Sequence, residues 1–278
     1  MTEFRYVSKK RRTKEDRRFI AGEGRFAADV RFADLGHVAM VSSPYPSATI
    51  KSIDASAALA APGVLTVLTG EELAAVTNPL LSGLDLPNVK REPMALGRVR
   101  YAGEWVAAVV AESRALAEDG AELVEVDYDP LPFVIDPEEA FQEGSPVVHP
   151  DHGSNIFFQK VWVWGDVEDD FSKADHKISY RARWSRCSTV PIETFAVTAS
   201  WNAGRDMLDV WASIQMPKYP EQIARALRIP VNGVNVHFDV DVGGSHGVKR
   251  GIRQTIIVSY LSRKLGHPVR FIEDRLEN

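Results

Sequence analysis

The sequence has 278 residues, 45% of them hydrophobic and 26% charged, which is enough apolar material for one or two sizeable cores and excludes a disordered chain, a small stapled scaffold or a fibre. Lysine and arginine total 33 against 38 acids, a formal net charge of -5, so the global field does not favour a nucleic-acid backbone as partner. The single cysteine, Cys187, excludes an intramolecular disulfide framework and any four-cysteine metal site made by this chain alone, and it suggests a reducing compartment.

Residues 1–14 read as an N-terminal arm. Met1 to Tyr6 lack the charged-then-apolar order of a signal peptide, and the longest apolar run, Trp105 to Ala111, falls far short of the roughly 20 residues of a membrane span. A cytoplasmic protein without membrane or nucleic-acid partners is expected. Lys9 to Arg18 read as a solvated basic stretch, because Glu15 and Asp16 interrupt it and no aromatic residue is interleaved for base stacking.

Residues 15–135 form the first expected domain. HVAMVSS, TIKSID and VLTVLTG from His37 to Gly70 read as strands separated by turn residues, with a short helix over ASAALAAPG. Proline, glycine and asparagine from Asn78 to Pro93 predict a surface loop. VRYAGEWVAAVV then reads as a strand, the stretch after Ser113 as a helix despite Gly120, and EVDY as a further strand. Residues 136–165, rich in proline, are the expected linker.

Residues 166–278 form the second domain. A short helix over GDVEDDFSKADH precedes a predicted strand, HKISYRARWSR, and TFAVTASW and MLDVWASIQ flank a glycine turn as a hairpin. YPEQIARALRI reads as a helix with Pro220 in its first turn and NVHFDVDV as a strand. A long helix from about Gly251 to Leu265 is closed by Gly266 and Pro268.

Four motifs raise the question of chemistry. Gly22 to Ala27 fits a dinucleotide-binding spacing, but the charged residues before it do not make a buried strand, so a glycine turn is the reading. His149, Asp151 and His152 lie in irregular chain with no further histidine or cysteine nearby and read as a linker turn. Cys187 follows Arg183 and Arg186 without an identifiable histidine partner and reads as an ordinary cysteine. Gly243-Gly-Ser-His-Gly-Val-Lys249 is the most informative, because glycines between a strand and a helix let backbone N–H groups converge on an anion.

Collinear segments over most of the chain carry a resemblance. They are EDRRFIAGEGRFAADV, VSSPYPSATIKSIDASAALAAPGVLTVLTGEEL, RVRYAGEWVAAVVAESRALAEDGAELVEVDYDPLP, VVHPDHGSN, GDVEDDF, WASIQMP, DVGGSHGVK and LSRKLGHPVRFIEDR. Together they resemble the molybdopterin-binding large subunit of the xanthine dehydrogenase and aldehyde oxidase family, the molybdenum hydroxylases. The resemblance implies an α+β chain, with an α/β-hammerhead domain followed by the first part of a molybdenum-cofactor-binding domain. It implies that Gln215 contacts the molybdenum centre and that Gly243, Gly244, Ser245, His246 and Gly247 approach it. Ser245, His246 and Val248 depart from the family's G-G-G-F-G-G-K pattern. Arg250 stands where purine-oxidising relatives carry a glutamate, which points away from a purine and makes Arg250 a candidate substrate-selecting residue.

The same resemblance implies partners. The chain is expected to be one piece of a split hydroxylase, sharing molybdopterin, in a dinucleotide form, with a second molybdopterin-binding polypeptide. Iron–sulfur clusters and FAD would reside on a [2Fe-2S] subunit and an FAD subunit. The expected reaction is hydroxylation of an N-heteroaromatic or aldehyde with water as oxygen source. A non-catalytic scaffold or assembly subunit, and a segment of a longer conventional subunit, remain as rival readings.

Overall fold

The computed structural model describes residues 5–7, 9–10, 12–81, 89–185 and 187–277. In chain order the elements are α1 (Asp16–Ile20), β1 (Gly36–Ser42), β2 (Ala48–Asp54), α2 (Ser56–Ala60), β3 (Val64–Thr69), α3 (Gly70–Val76), β4 (Arg98–Val99), β5 (Trp105–Ala111), α4 (Arg114–Glu122), β6 (Glu125–Pro130), α5 (Pro137–Ala140), α6 (Val167–Lys173), β7 (Ala196–Asn202), β8 (Met207–Ala212), α7 (Tyr219–Leu227), β9 (Val234–His237), α8 (Ile252–Leu265) and β10 (Val269–Ile272).

Seven strands form one sheet in the order β3-β5-β1-β10-β7-β8-β9, and β4-β2-β6 form a smaller one. β5 lies inside the large sheet and buries all seven of its residues, which is why its sequence is unbroken apolar rather than alternating. Its side chains still divide by face. Ala108 and Val110 join the main core, which holds Leu73 of α3, Ile223 of α7 and Ile256, Ile257 and Leu261 of α8, whereas Ala107 and Val109 pack with Ala58 of α2 and Val124. The two halves of the chain share the large sheet, because β1 pairs in parallel with β10 through Gly36 and Val269, and β10 pairs antiparallel with β7.

Local signals explain the helix ends. Ser113 caps α4 by accepting from Leu116 N–H at 3.3 Å, Asp136 caps α5, and Gly266 ends α8 at a left-handed φ of 74°. α3 departs from the expected pattern, although Thr69 followed by two glutamates is a helix-start signal, and Thr69 does accept from Glu72 N–H. α5 likewise lies within the expected linker.

Three expectations are corrected. Residues 176–185 adopt no regular secondary structure and pair with no described strand, and Ile178, Tyr180 and Trp184 are 89, 88 and 91% exposed. Their alternation suits a pleated surface, but a strand cannot satisfy its own backbone groups without a neighbour. β9 ends at His237 rather than running through Val242, leaving only a parallel bridge between Phe26 and Asp241. The strand expected from Val99 is interrupted by a turn at Tyr101 to Gly103 before β5 begins. Among the described residues no helix is long and apolar enough to cross a membrane.

Candidate cofactor-binding site

Just past the end of β8, Gln215 emerges from the sheet beside the loop that leads into α8. Its N–H donates to Lys249 O at 3.1 Å, so the two segments are joined backbone to backbone. Its side-chain Oε1 accepts from Gly247 N–H at 3.1 Å and from the Ser245 hydroxyl. Ser245 Oγ in turn accepts from Lys249 N–H at 3.3 Å. The serine that departs from the expected glycine therefore ties the loop to Gln215 instead of blocking it. Gln215 Oε1 is occupied by the protein, while no described residue accepts from its Nε2.

The loop turns through left-handed conformations at Gly244 (φ 92°), His246 (φ 53°) and Gly247 (φ 103°). His246 takes the positive φ despite its side chain, an arrangement that costs roughly 1–3 kcal/mol and that surrounding contacts must impose. No described hydrogen bond engages the N–H groups of Gly244, Ser245 or His246. Consecutive unengaged amides in such a turn form a concave donor surface suited to an anion or an electronegative oxygen.

Beneath the loop lies the segment leading into β7. Glu193 Oε2 accepts from Gly243 N–H at 2.6 Å and pairs with the Lys249 ammonium, whose side chain is wholly buried. Two residues ahead of Gly243, Asp241 accepts from both terminal nitrogens of Arg18, at 2.7 and 2.5 Å, and from Arg25 N–H at 2.7 Å. Arg18, and next to it the Arg25 N–H, hold the Asp241 carboxyl down at about 2. Arg18 is thus a tether rather than part of a solvated arm.

The candidates separate accordingly. Gln215, Gly243, Gly244, Ser245, His246 and Gly247 come together. Arg250 is exposed at the loop's exit, where its backbone N–H is engaged by Val248 O at 2.9 Å and no described residue pairs with its guanidinium. Gly22 and Gly24 follow α1 with no strand among the described residues ahead of them. His149 and His152 set their rings edge-on to Phe157 at 5.3 and 5.2 Å, and burial first of all pushes His149 below the usual histidine range. Cys187 is exposed. Glu193 carries no signal of its own in the sequence, and Lys249 only that of the loop's last residue.

The α/β-hammerhead domain model of aldehyde oxidase and xanthine dehydrogenase matches residues 21–132, and the molybdopterin cofactor-binding domain model matches residues 148–278. The chain belongs to the xanthine dehydrogenase and aldehyde oxidase family of molybdopterin-binding oxidoreductases, with an α+β hammerhead domain and a molybdopterin cofactor-binding domain. It is 34% identical over 273 residues to the 6-hydroxypseudooxynicotine dehydrogenase complex subunit gamma of Paenarthrobacter nicotinovorans, a match covering 95% of this chain and 34% of the relative. It is 33% identical to the carbon monoxide dehydrogenase large chain of Hydrogenophaga pseudoflava, covering 95% and 34%. The crystal structure of quinoline 2-oxidoreductase from Pseudomonas putida 86 superimposes with a TM-score of 0.88 at 34% identity, over 95% of this chain and 34% of that one. The chain thus spans about a third of the length of these relatives, whose names denote components of multi-subunit assemblies in the first two cases.

Proposed function

We propose that this chain forms one wall of the molybdenum site in a multi-subunit hydroxylase that oxidises an N-heteroaromatic or aldehyde substrate with water as oxygen source. The observation that carries the reading is the cluster of unengaged donors, the N–H groups of Gly244, Ser245 and His246 beside Gln215 Nε2, in a chain whose second half matches the cofactor domain. These donors fit a group that presents oxygens and a dianionic phosphate-bearing pterin, since each is a neutral hydrogen-bond donor on a loop already fixed by its own contacts. When bound, the molybdenum cofactor supplies the two-electron oxidising centre. Gln215 and the loop orient it and its ligands by hydrogen bonding. Arg250, always cationic and exposed, favours a substrate bearing an anionic or electron-rich oxygen, and His246 offers a second polar contact.

The partners in this reading are a second molybdopterin-binding polypeptide, a [2Fe-2S] subunit and an FAD subunit, assembled in the cytoplasm. Support comes from the arm between Phe158 and Ile192, where Trp162, Trp164, Tyr180 and Trp184 lie exposed although the cofactor-domain match runs straight through them. Large aromatic side chains left exposed in this number along one segment suit burial against a partner.

The test is the metal content of the complex purified through this chain. One molybdenum per copy is expected, and Gln215→Ala should lower turnover roughly 5- to 150-fold, the equivalent of ~1–3 kcal/mol for one lost hydrogen bond, while lowering molybdenum content much less. A complex devoid of molybdenum defeats the reading and leaves a non-catalytic scaffold.

A further inference from the structure

We infer that Glu193 is a positioning residue that sets the shape of the Gly243–Lys249 loop and keeps its amides turned outward. The inference deepens the functional reading above, on which the identity of the loop's ligand rests. A single oxygen, Glu193 Oε2, receives the N–H of Gly243 and the ammonium of Lys249, so both ends of the loop are drawn to one point. With its ends pinned, the loop cannot relax inward to give Gly244, Ser245 and His246 internal hydrogen-bond partners.

The surrounding geometry supports the same role. Alternate residues of one short stretch lie against the loop and its exit: Pro191 against Gly244, Glu193 against Gly243, and Phe195 against Gly251. A Cβ added to Gly243 would sit 2.5 Å from Glu193 Cβ, and one added to Gly251 would sit 2.0 Å from the buried Phe195 ring. Thr189 Oγ1 also donates to Ser245 O at 3.3 Å. The loop is moulded on residues 189–195.

Burial makes the pair interdependent. The Lys249 side chain is 0% exposed and that of Glu193 14%, so the ammonium has no water to replace its partner and the carboxylate little. Glu193 Oε1 is buried without a hydrogen-bond partner, which leaves the loop contact and the lysine as the work of Oε2 alone. Glu193 acts on a ligand only through the loop, whereas Gln215 keeps its Nε2 without a described acceptor.

The distinguishing variants are Glu193→Ala, which removes the acceptor and strands the lysine, and the double variant Glu193→Gln with Lys249→Met. The double variant retains an acceptor for Gly243 and leaves no buried charge, and the backbone of residue 249 stays held by the bonds to Gln215 N–H and Ser245 Oγ that do not involve its side chain. Each is made in the complete complex and read by amide hydrogen exchange over residues 243–249, by the Mo(V) electron paramagnetic resonance spectrum, and by separate kcat and KM. Glu193→Ala should speed loop exchange at least about tenfold, alter the spectrum, and lower kcat about tenfold or more with KM changed less than about threefold. The double variant should restore both slow exchange and the spectrum. A Glu193→Ala complex with unchanged exchange and spectrum overturns the proposal, as does a folded double variant whose loop exchanges as fast as that of Glu193→Ala. If Glu193→Ala does not assemble, the double variant decides alone: slow exchange supports the proposal and fast exchange overturns it. Absence of molybdenum from the wild-type complex would defeat the functional reading, while the exchange measurement would still decide the role of Glu193.

Discussion

Asp241 joins the N-terminal segment to the strand end that feeds the glycine loop, and its three donors hold its carboxyl at about 2 against an ordinary 3.8. Because the folded value lies below the unfolded one, the tether contributes in full above about pH 4, and its contribution is lost as the pH falls through about 2. Urea midpoints of the wild type and Asp241→Asn, measured between pH 5 and pH 2, should therefore converge at the acid end. Parallel curves throughout would show that the carboxylate adds no pH-dependent stability. The acid limb also isolates this tether from Glu104, whose buried carboxyl is pushed in the opposite direction, chiefly by desolvation, and so weakens the fold as the pH rises from about 4.5.

Elements that close their own hydrogen bonds were the most legible in the sequence. α4, α7 and α8 are recognisable from a serine cap, an early proline and a terminal glycine, and the β7–β8 hairpin from its glycine turn. The segment 177–184 shows where such signals end. Ile178, Tyr180, Ala182 and Trp184 alternate with Lys177, Ser179, Arg181 and Arg183 in the pattern of a half-buried strand, yet strand formation also depends on an edge that the local sequence does not specify. Amides 177–184 should exchange freely in the isolated chain and slow by about 100-fold or more in the assembly proposed above. Strong protection in isolation, or none in the complex, would show that the segment is not an unfilled strand. The site divides in the same way. Gln215 and the loop could be located by resemblance, whereas Glu193 with Lys249 and Arg18 with Asp241 are separated by 56 and 223 positions, with no spacing signal to join them.

At the scale of the whole molecule, the fourth position in the large sheet belongs to β10, only four residues long, with β1 on one side and β7 on the other. Its Val269 and Phe271 are buried in the main core. Deleting residues 268–278 should therefore do more than remove a peripheral segment: it opens two strand edges in the middle of the sheet, and the cooperative thermal transition should be lost. A truncated chain that still melts in one sharp step, within a few degrees of the full chain, would refute that role for β10. The position of β10 also bears on the order in which the molecule can be made. β1 and β10 are separated by roughly 230 residues, which a ribosome adding about 5–20 residues per second takes roughly 10–50 s to traverse. Through that interval β1 can be covered by β5 on one side while its other edge has no native partner, a contact of high sequence separation that is slow to form as well as late to arrive. Slowed translation, or a shortage of the chaperones that shield nascent chains, should therefore lower the yield of folded protein through the open edge of β1 before it impairs any chemistry.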